Sequence, residues 1–344
     1  MRAAYHRPLR TRPGSWGTTR QLLQGGRALH RAGRSGRFRS VRWPSTGGES
    51  PYGVAMDVLG IDVDHSEQTT YCYVRLALLA LLLALTVSIA AETVRSGWQT
   101  SISGYYYTAA GPVFVGVLTS AGVCLIALRG GTDAEDVCLN LSGISAPMVA
   151  FVPTPEHGHS PHAHAIINNA MTFWLVLAVG YVVVLVLGLR SRARGRSWPS
   201  RWGVVGLVSV AAAWIVGVVW VLVDRSSFVA HAHALAALFT FAPFFGVVVL
   251  NTDWGARVLA GQPASRTAYD AAYWAIAAGM LLAMAVFAAL RSWDYALLGV
   301  EIAELALFAA FWVLQSLDLV RLDRRRDRLD RTGLRPASPP SGCR

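Results

Sequence analysis

The sequence of 344 residues contains no lysine and few acidic residues. All 31 of its basic residues are arginine, against 20 acidic residues, and only 15% of the chain is charged. Because soluble domains carry about 25% charged residues, this composition argues against an ordinary soluble enzyme. With 53% hydrophobic residues and a mean hydropathy of +0.40, the chain has the composition of a membrane protein.

Cysteine is also scarce, and the four residues present, Cys72, Cys124, Cys138 and Cys343, form no C-x-x-C pair. The sequence therefore gives no sign of a disulfide framework or a zinc knuckle. It also lacks the H-E-x-x-H, G-x-S-x-G and P-loop motifs. Their absence argues against the common zinc proteases, serine hydrolases and nucleotide hydrolases.

Long apolar segments dominate what the sequence does contain. A membrane-spanning helix needs about 20 mostly apolar residues, and eight segments approach or reach that length. The third is the shortest, contains Pro147 and ends before Pro153, so we expect it to be kinked or to enter only part of the bilayer. The fold class predicted is an all-α bundle of about eight transmembrane helices, over residues 71–91, 112–128, 137–152, 168–189, 203–223, 229–250, 271–290 and 296–319.

The placement of arginine predicts the orientation, because cytoplasmic loops carry an excess of positive charge. With the N-terminus inside, all but three of the 31 arginines lie on the cytoplasmic side, the exceptions being Arg95, Arg225 and Arg291. We therefore expect a multi-pass protein of the cell membrane with both termini cytoplasmic. Membrane topology also accounts for the net charge of +11, so the expected partner is the lipid bilayer and not nucleic acid. Assembly into a homo-oligomer stays open.

The two ends of the chain differ in composition from the apolar middle. Residues 1–48 contain no Asp or Glu and are rich in Arg, Gly and Ser, which predicts a disordered tail over 1–55. This tail is a basic segment that rests on anionic lipid, a transit peptide, or a stretch upstream of a natural start at Met56 and not Met1. The transmembrane domain is predicted over 71–320, and a charged cytoplasmic tail over 321–344.

Ionisable residues inside apolar segments are costly and mark candidate sites. Glu301 and Glu304 lie three residues apart and share one face of the last segment. His231 and His233 point about 200° apart on a helix, so we expect His233 to face the bundle and His231 the membrane interface. The candidate ligand-binding or proton-binding residues, all near the outer ends of the segments, are His233, Glu301, Glu304, Asp224 and Glu92.

Two interpretations of His233, Glu301 and Glu304 compete. They form either an outer-leaflet site for a metal, a proton or a polar headgroup, or a polar contact that holds helices together. A loop between the third and fourth segments contains His157, His159, His162 and His164. It is either a site for a divalent metal such as zinc, copper or nickel, or a flexible loop of biased composition. A divalent metal is the one cofactor that the sequence suggests.

The segment from Ser101 to Thr108 reads Ser-Ile-Ser-Gly-Tyr-Tyr-Tyr-Thr, which is typical of an aromatic belt or of a turn that caps the site. With this segment, the chain resembles uncharacterised bacterial polytopic integral membrane proteins that carry an SIS-x-YYYT motif. More loosely it resembles six-helix proteins of the Frag/DRAM/Sfk type, with residues 168–223 as an added helical pair. The resemblance implies the fold of residues 71–320 and no particular reaction. It also rests on residues 114–116, 135–136, 139–143 and 149–154, on His233 with Ala236, Ala237 and Phe241, and on Glu301, Glu304, Phe308, Trp312 and Gln315.

Two functional hypotheses follow. The first is a non-enzymatic carrier or lipid-interacting module with a polar site in the outer leaflet. A continuous polar path from Glu301 and Glu304 to Gln315 favours a carrier, whereas a sealed apolar barrier below Glu304 argues against transport. The alternative is a metal-dependent membrane hydrolase acting on lipids, in which a metal bound by His233 activates water and a glutamate acts as general base.

Overall fold

The computed structural model describes residues 63–154, 163–195, 198–259 and 269–331, which form nine α-helices and no β-strand. The predicted tail over 1–55, the histidines His157, His159 and His162, and residues 332–344 lie outside the described residues. A 3-10 helix, Ser103–Tyr107, lies between the first two helices. The helices are α1 (Val63–Ser96), α2 (Gly111–Ala127), α3 (Asp133–Phe151), α4 (Ala163–Ala193), α5 (Arg201–Val223), α6 (Arg225–Leu250), α7 (Asp253–Val258), α8 (Asp270–Ala289) and α9 (Ala296–Arg331).

Six of the described helices are long and apolar enough to cross a bilayer. They are α1 over Thr70–Ser96, α4, α5, α6, α8, and α9 over Ala296–Leu317. For the described residues, the prediction of an all-helical fold with several membrane spans is therefore confirmed. The length and apolar composition of these helices indicate a multi-pass membrane protein.

The second and third predicted segments correspond to α2 and α3, which do not meet the same criteria of length and apolarity. At 17 residues α2 is about 26 Å long, against about 30 Å of hydrocarbon. Helix α3 has 19 residues, but its first turn carries Asp133, Glu135 and Asp136. These two helices differ from the six longer ones because they are enclosed by other helices, and an enclosed helix needs no fully apolar surface.

Helix α3 lies in the centre of the bundle, where it packs against α2, α4, α5 and α6. Its contact with α2 is unusually close at Gly122 and Gly143. A Cβ atom added to Gly122 meets the Gly143 carbonyl oxygen at 2.5 Å, and one added to Gly143 meets the Gly122 oxygen at 2.6 Å. Small residues therefore let the two backbones touch, as is common at helix contacts in membranes.

The remaining long helices fall into two groups, one in the apolar core and one at the periphery. Helices α1, α6, α8 and α9 share one large apolar core with α2 and α3. Helices α4 and α5 form a peripheral pair, joined by the Trp214 Nε1 donor to the Trp174 carbonyl at 2.8 Å. Most of the surface of this pair is exposed apolar side chain, as expected of helices that face lipid.

Local capping fixes where the helices of the site begin. Thr132 precedes α3 and its Oγ1 atom accepts from the Glu135 backbone N–H at 3.1 Å. Asp224 precedes α6 and accepts from the Ser227 backbone N–H at 3.0 Å. This hydrogen bond, with a second one from the Ser226 hydroxyl, holds the pKa of Asp224 below its ordinary value.

Candidate functional site

Helices α6 and α9 bring His233 and Glu301 together at the end of the bundle where α3 ends. The His233 Nε2 atom lies 3.8 Å from the Glu301 Oε1 atom. This distance exceeds the range of a direct hydrogen bond, so the contact is an ion pair when the imidazole is protonated. Helical spacing oriented the two histidines correctly, because His233 is buried and His231 is exposed.

The other ring nitrogen of His233 is held by the backbone of α3. The His233 Nδ1 atom lies 2.7 Å from the carbonyl oxygen of Val152, the residue that ends α3. Because a carbonyl only accepts, Nδ1 carries the proton and donates it. The ring orientation is thereby fixed, and Nε2 is left facing Glu301 as a lone pair or as a second N–H group.

Glu301 is also held by the segment that precedes α2. Its Oε2 atom accepts from the Ile102 backbone N–H at 2.5 Å. The Leu298 backbone N–H donates to the Thr100 carbonyl at 3.0 Å, so the start of α9 and this segment are joined twice. The segment therefore caps the site, which is one of the two roles that its sequence suggests.

Tyr105 differs from the aromatic-belt prediction, because its side chain is fully buried. Its hydroxyl lies 2.5 Å from the Thr93 hydroxyl of α1, and its ring packs in an apolar cluster with Leu85 and Phe114. Tyr106 and Tyr107 are only half-buried. The belt interpretation is thus wrong for Tyr105, whose ring anchors the 3-10 helix to the bundle.

Glu304 lies one turn further along α9 and is 4% exposed. Its Oε2 atom is buried and has no hydrogen-bond partner among the described residues. Such a group is expensive, because a buried acceptor loses its water without gaining a donor. Unpaired buried polar atoms are rare in folded proteins, so this carboxyl marks the site as incomplete.

Glu304, Glu301 and His233 all line a cavity of about 410 Å³ between α6, α8 and α9, here called the larger cavity. Its volume is in the range of small-molecule sites, about 300–1,000 Å³. Apart from the three ionisable residues and Thr154, the lining is apolar. It includes three phenylalanines and two methionines, namely Phe241, Phe245, Phe287, Met280 and Met284.

A smaller cavity, of about 80 Å³, lies among α1, α2, α3, α6 and α9. Both cavities are lined by His233 and Glu301. The Ser103 hydroxyl lines the smaller one and donates to the Thr154 hydroxyl, at 2.6 Å, which lines the larger one. The imidazole–carboxylate pair thus borders two spaces of very different size.

An aromatic cluster, here called the aromatic plug, fills the bundle beyond Glu304 on the same face of α9. It consists of Phe308, Phe311 and Trp312 on that face of α9 and of Phe244 on α6, all of them buried. The ring centroids of Phe244 and Phe308 are 4.5 Å apart, and those of Phe244 and Phe311 are 5.2 Å apart. This is the sealed apolar barrier that argues against a continuous polar path along α9.

A second polar group, here called the polar network, lies on the far side of the plug. Arg75 Nη2 donates to the Gln315 side-chain carbonyl at 2.7 Å, and Gln315 Nε2 donates to Asn251 at 2.5 Å. Asn251 in turn donates to Glu135 at 2.9 Å. The network therefore joins α1, α9, α6 and α3, with the Arg75 guanidinium also stacked on the rings of Tyr71 and Trp312.

The remaining predicted residues do not join the site. Glu92 lies on α1, half-buried, and Asp224 is an exposed cap; neither lines either cavity. His164 is exposed at the start of α4. Among the described residues, no three His, Cys, Asp or Glu side chains gather in a way that could hold a metal ion. The metal predictions for His157, His159 and His162 lie outside the described residues.

Sequence reasoning missed Arg75 and Thr154 as parts of polar clusters. Arg75 falls inside the first predicted span, over residues 71–91, but the placement of arginine predicts only orientation. An ionisable residue inside an apolar segment is itself the signal that the residue has a polar partner. Thr154 had no such signal, because its place beside Ser103 depends on contacts between distant parts of the chain.

No protein-family model matches the chain, and no curated protein or solved structure matches it either.

Proposed function

We propose that the protein is a lipid-interacting membrane protein whose larger cavity binds an amphiphilic molecule from the bilayer. The observation that carries the proposal is the cavity itself, which is apolar along most of its lining and carries Glu301, Glu304 and His233 at one side. An amphiphile has the matching division into an apolar body and a polar headgroup. The unpaired Glu304 carboxyl supplies a contact for that headgroup.

The exposure of the lining residues indicates the path by which such a ligand enters. Leu238 on α6 and Leu281 on α8 both line the larger cavity, and both have more than half of their surface exposed. The cavity therefore opens between α6 and α8, on a surface that faces lipid in a membrane-embedded bundle. A molecule dissolved in the bilayer enters there without crossing water.

Binding is favoured over transport along α9. The aromatic plug fills the space between Glu304 and the polar network, so the described residues offer no polar route through the bundle. A carrier for polar solutes needs such a route, or a large rearrangement of four buried aromatic rings. Phe244 and Phe308 of the plug line the smaller cavity, and no plug residue lines the larger one.

The proposal includes the finer topology expected from the sequence. Helix α2 and residues 137–151 of α3 lie in the membrane with the six longer helices. This makes eight segments in the cell membrane, with both termini cytoplasmic. Support comes from the arginine distribution and from the enclosure of α3 by four neighbours. The larger cavity then lies in the outer half of the bilayer.

The hydrolase alternative is not favoured. It requires a metal ligand set around His233, and the described residues gather no group of three suitable side chains there. Binding of an amphiphile uses the site as it stands.

Native mass spectrometry of the full chain released from nanodiscs tests the proposal. Ala234 lines the mouth of the larger cavity and is exposed, so Ala234→Trp narrows the entrance without overfilling the core. We expect a retained amphiphile on the wild-type chain and its loss in this variant. The matched control is Ala285→Trp, on an exposed position of α8 that does not line the cavity. Equal retention by all three chains contradicts the proposal.

A further inference from the structure

The ionisable lining of the larger cavity consists of two carboxyl groups and one imidazole. Glu301, Glu304 and His233 are its ionisable members, and no arginine occurs among the described residues that line it. The chain has 31 basic residues, all arginine, so their absence from this lining is a feature of the site. A headgroup whose only charge is a phosphate or a carboxylate meets two acids here, and the one basic side chain of the lining, His233, already contacts Glu301.

The two carboxyl groups have different roles. Glu301 is already engaged by the Ile102 backbone N–H and by the ion-pair contact with His233. Glu304 is almost fully buried, and its Oε2 atom has no donor among the described residues. The group that completes the site must therefore donate hydrogen bonds to Glu304.

The aromatic lining of the larger cavity also favours a positively charged headgroup. Phe241, Phe245 and Phe287 line the larger cavity together with Glu304. The faces of aromatic rings attract positively charged groups, most strongly where water is excluded. The rest of the lining is alkyl and thioether surface, which suits a hydrocarbon chain.

We propose that the larger cavity selects amphiphiles whose headgroup is a primary ammonium, with its N–H groups donating to the Glu304 carboxylate. The inference rests on the proposed function, because it names the headgroup of the amphiphile that the cavity binds. Two sources share this chemistry: a free long-chain amine, and a phospholipid with an ethanolamine headgroup. An ammonium supplies both the positive charge and the donors that Glu304 lacks.

The test measures binding of tritiated dodecylamine and of tritiated dodecanol to the full chain in phosphatidylcholine nanodiscs, by scintillation proximity, with empty nanodiscs subtracted. These probes share one alkyl chain and differ in headgroup charge. We expect dodecylamine to bind about tenfold or more tightly than dodecanol, a difference of about 1.4 kcal/mol or more. Dodecanoic acid, as a competitor, is expected to displace the amine least effectively.

Variants assign the selectivity to Glu304. Glu304→Gln keeps the shape of the side chain and removes its charge, so we expect amine affinity to fall about tenfold while dodecanol affinity changes less than about threefold. The matched control is Glu92→Gln, which removes a carboxyl on α1 outside both cavities and leaves both affinities unchanged. Thermal unfolding of each variant checks that it is folded.

The lipid composition of the nanodiscs distinguishes a free long-chain amine from an ethanolamine phospholipid as the source of the ammonium group. Phosphatidylethanolamine introduced into the nanodiscs displaces bound dodecylamine if the ligand is a lipid headgroup, whereas phosphatidylglycerol does not. Retention of dodecylamine in both lipids identifies a free amine as the ligand. Either pattern supports selection of a primary ammonium.

Two results separate failure of this inference from failure of the proposed function. If dodecylamine and dodecanol bind equally well, or if Glu304→Gln behaves like Glu92→Gln, the ammonium preference is overturned while amphiphile binding stands. If neither probe binds above empty nanodiscs, and Ala234→Trp retains as much amphiphile as wild type, the proposed function is overturned as well.

Discussion

Glu304 is the residue at which stability and binding conflict most clearly. Its Oε2 atom is buried without a hydrogen-bond partner among the described residues, so the empty protein bears a desolvation cost there. Glu304→Leu removes the buried carboxyl, and we expect it to raise the free energy of unfolding by about 1–3 kcal/mol. The measurement is thermal unfolding in detergent after removal of bound amphiphile.

The neighbouring carboxyl provides the control. Glu301→Leu leaves the Ile102 backbone N–H and the His233 ring without their acidic partner, so it should lower the unfolding temperature. The interpretation of Glu304 is wrong if its leucine variant is destabilised as much as that of Glu301.

For single residues, the sequence predicted the direction in which a side chain faces better than the atoms that it contacts. Helical spacing correctly turned His233 inward, and it put Glu301 and Glu304 on one face. It could not indicate that His233 donates to Val152, 81 residues away, or that Glu301 accepts from Ile102, 199 residues away. Such contacts depend on how helices are arranged, and local periodicity carries no information about that arrangement.

Among the helices, the contact of α2 with α3 depends on two glycines. Gly122→Ala and Gly143→Ala each bring a methyl group within about 2.6 Å of a backbone oxygen, so the helices must separate. We expect each to lower the free energy of unfolding by about 1–3 kcal/mol, the usual cost of overpacking. Chemical unfolding in detergent measures the change.

Gly116 on α2 is the matched control, because a Cβ atom there meets nothing within 4 Å. Gly116→Ala should leave stability unchanged or raise it by up to about 1 kcal/mol, since alanine is the better helix former. Equal losses in all three variants contradict the close approach of α2 and α3.

Glu135 in the polar network makes the free energy of unfolding depend on pH. Burial raises the pKa of Glu135 above its ordinary value of 4.5, and the hydrogen bond from Asn251 opposes this only in part. Between the ordinary and the raised pKa, the folded state holds a proton that the unfolded state has released. The free energy of unfolding therefore falls as pH rises through this interval, and it is greatest below pH 4.5 as far as Glu135 is concerned.

Glu135→Gln should flatten this part of the pH profile, because the amide does not titrate. Unfolding temperatures recorded across the interval, for wild type and variant, measure the effect. An unchanged slope in the variant means that Glu135 does not hold the proton.

Helices that face lipid were predictable from apolarity, and helices enclosed by protein were less so. Six predicted segments correspond to helices that meet the criteria for a span. The acids at the start of α3 and the shortness of α2 are tolerated because both helices pack against several others. The short helix α7 was not predicted, since its six residues carry no apolar periodicity.

At the scale of the whole molecule, the topology is a prediction that cysteine labelling tests. On a background without native cysteine, Arg194→Cys lies between α4 and α5, and Ser292→Cys lies between α8 and α9. With both termini cytoplasmic, an impermeant maleimide added to intact cells should label residue 292 and not residue 194. Label on residue 194 alone reverses the orientation, and label on both contradicts a fixed topology.

The resemblance to membrane proteins with the SIS-x-YYYT motif stays a prediction, because no comparison bears on it. The structure gives the motif a physical role in this chain. Its backbone contacts Glu301 through Ile102, and its Ser103 hydroxyl contacts Thr154. A turn that caps an acidic cavity is thus built from the most distinctive residues of the sequence.

Photolabelling with a benzophenone-bearing phospholipid in nanodiscs tests whether lipid enters the larger cavity, because benzophenone reacts preferentially at methionine within its reach. Met280 is 3% exposed and lines the larger cavity, whereas Met171 on α4 is 38% exposed and lies outside it. We expect label on Met280 in wild type and its loss in Ala234→Trp, with label on Met171 unchanged. Label on Met171 without label on Met280 in wild type would contradict the proposed function, since lipid would then coat the bundle and not enter it.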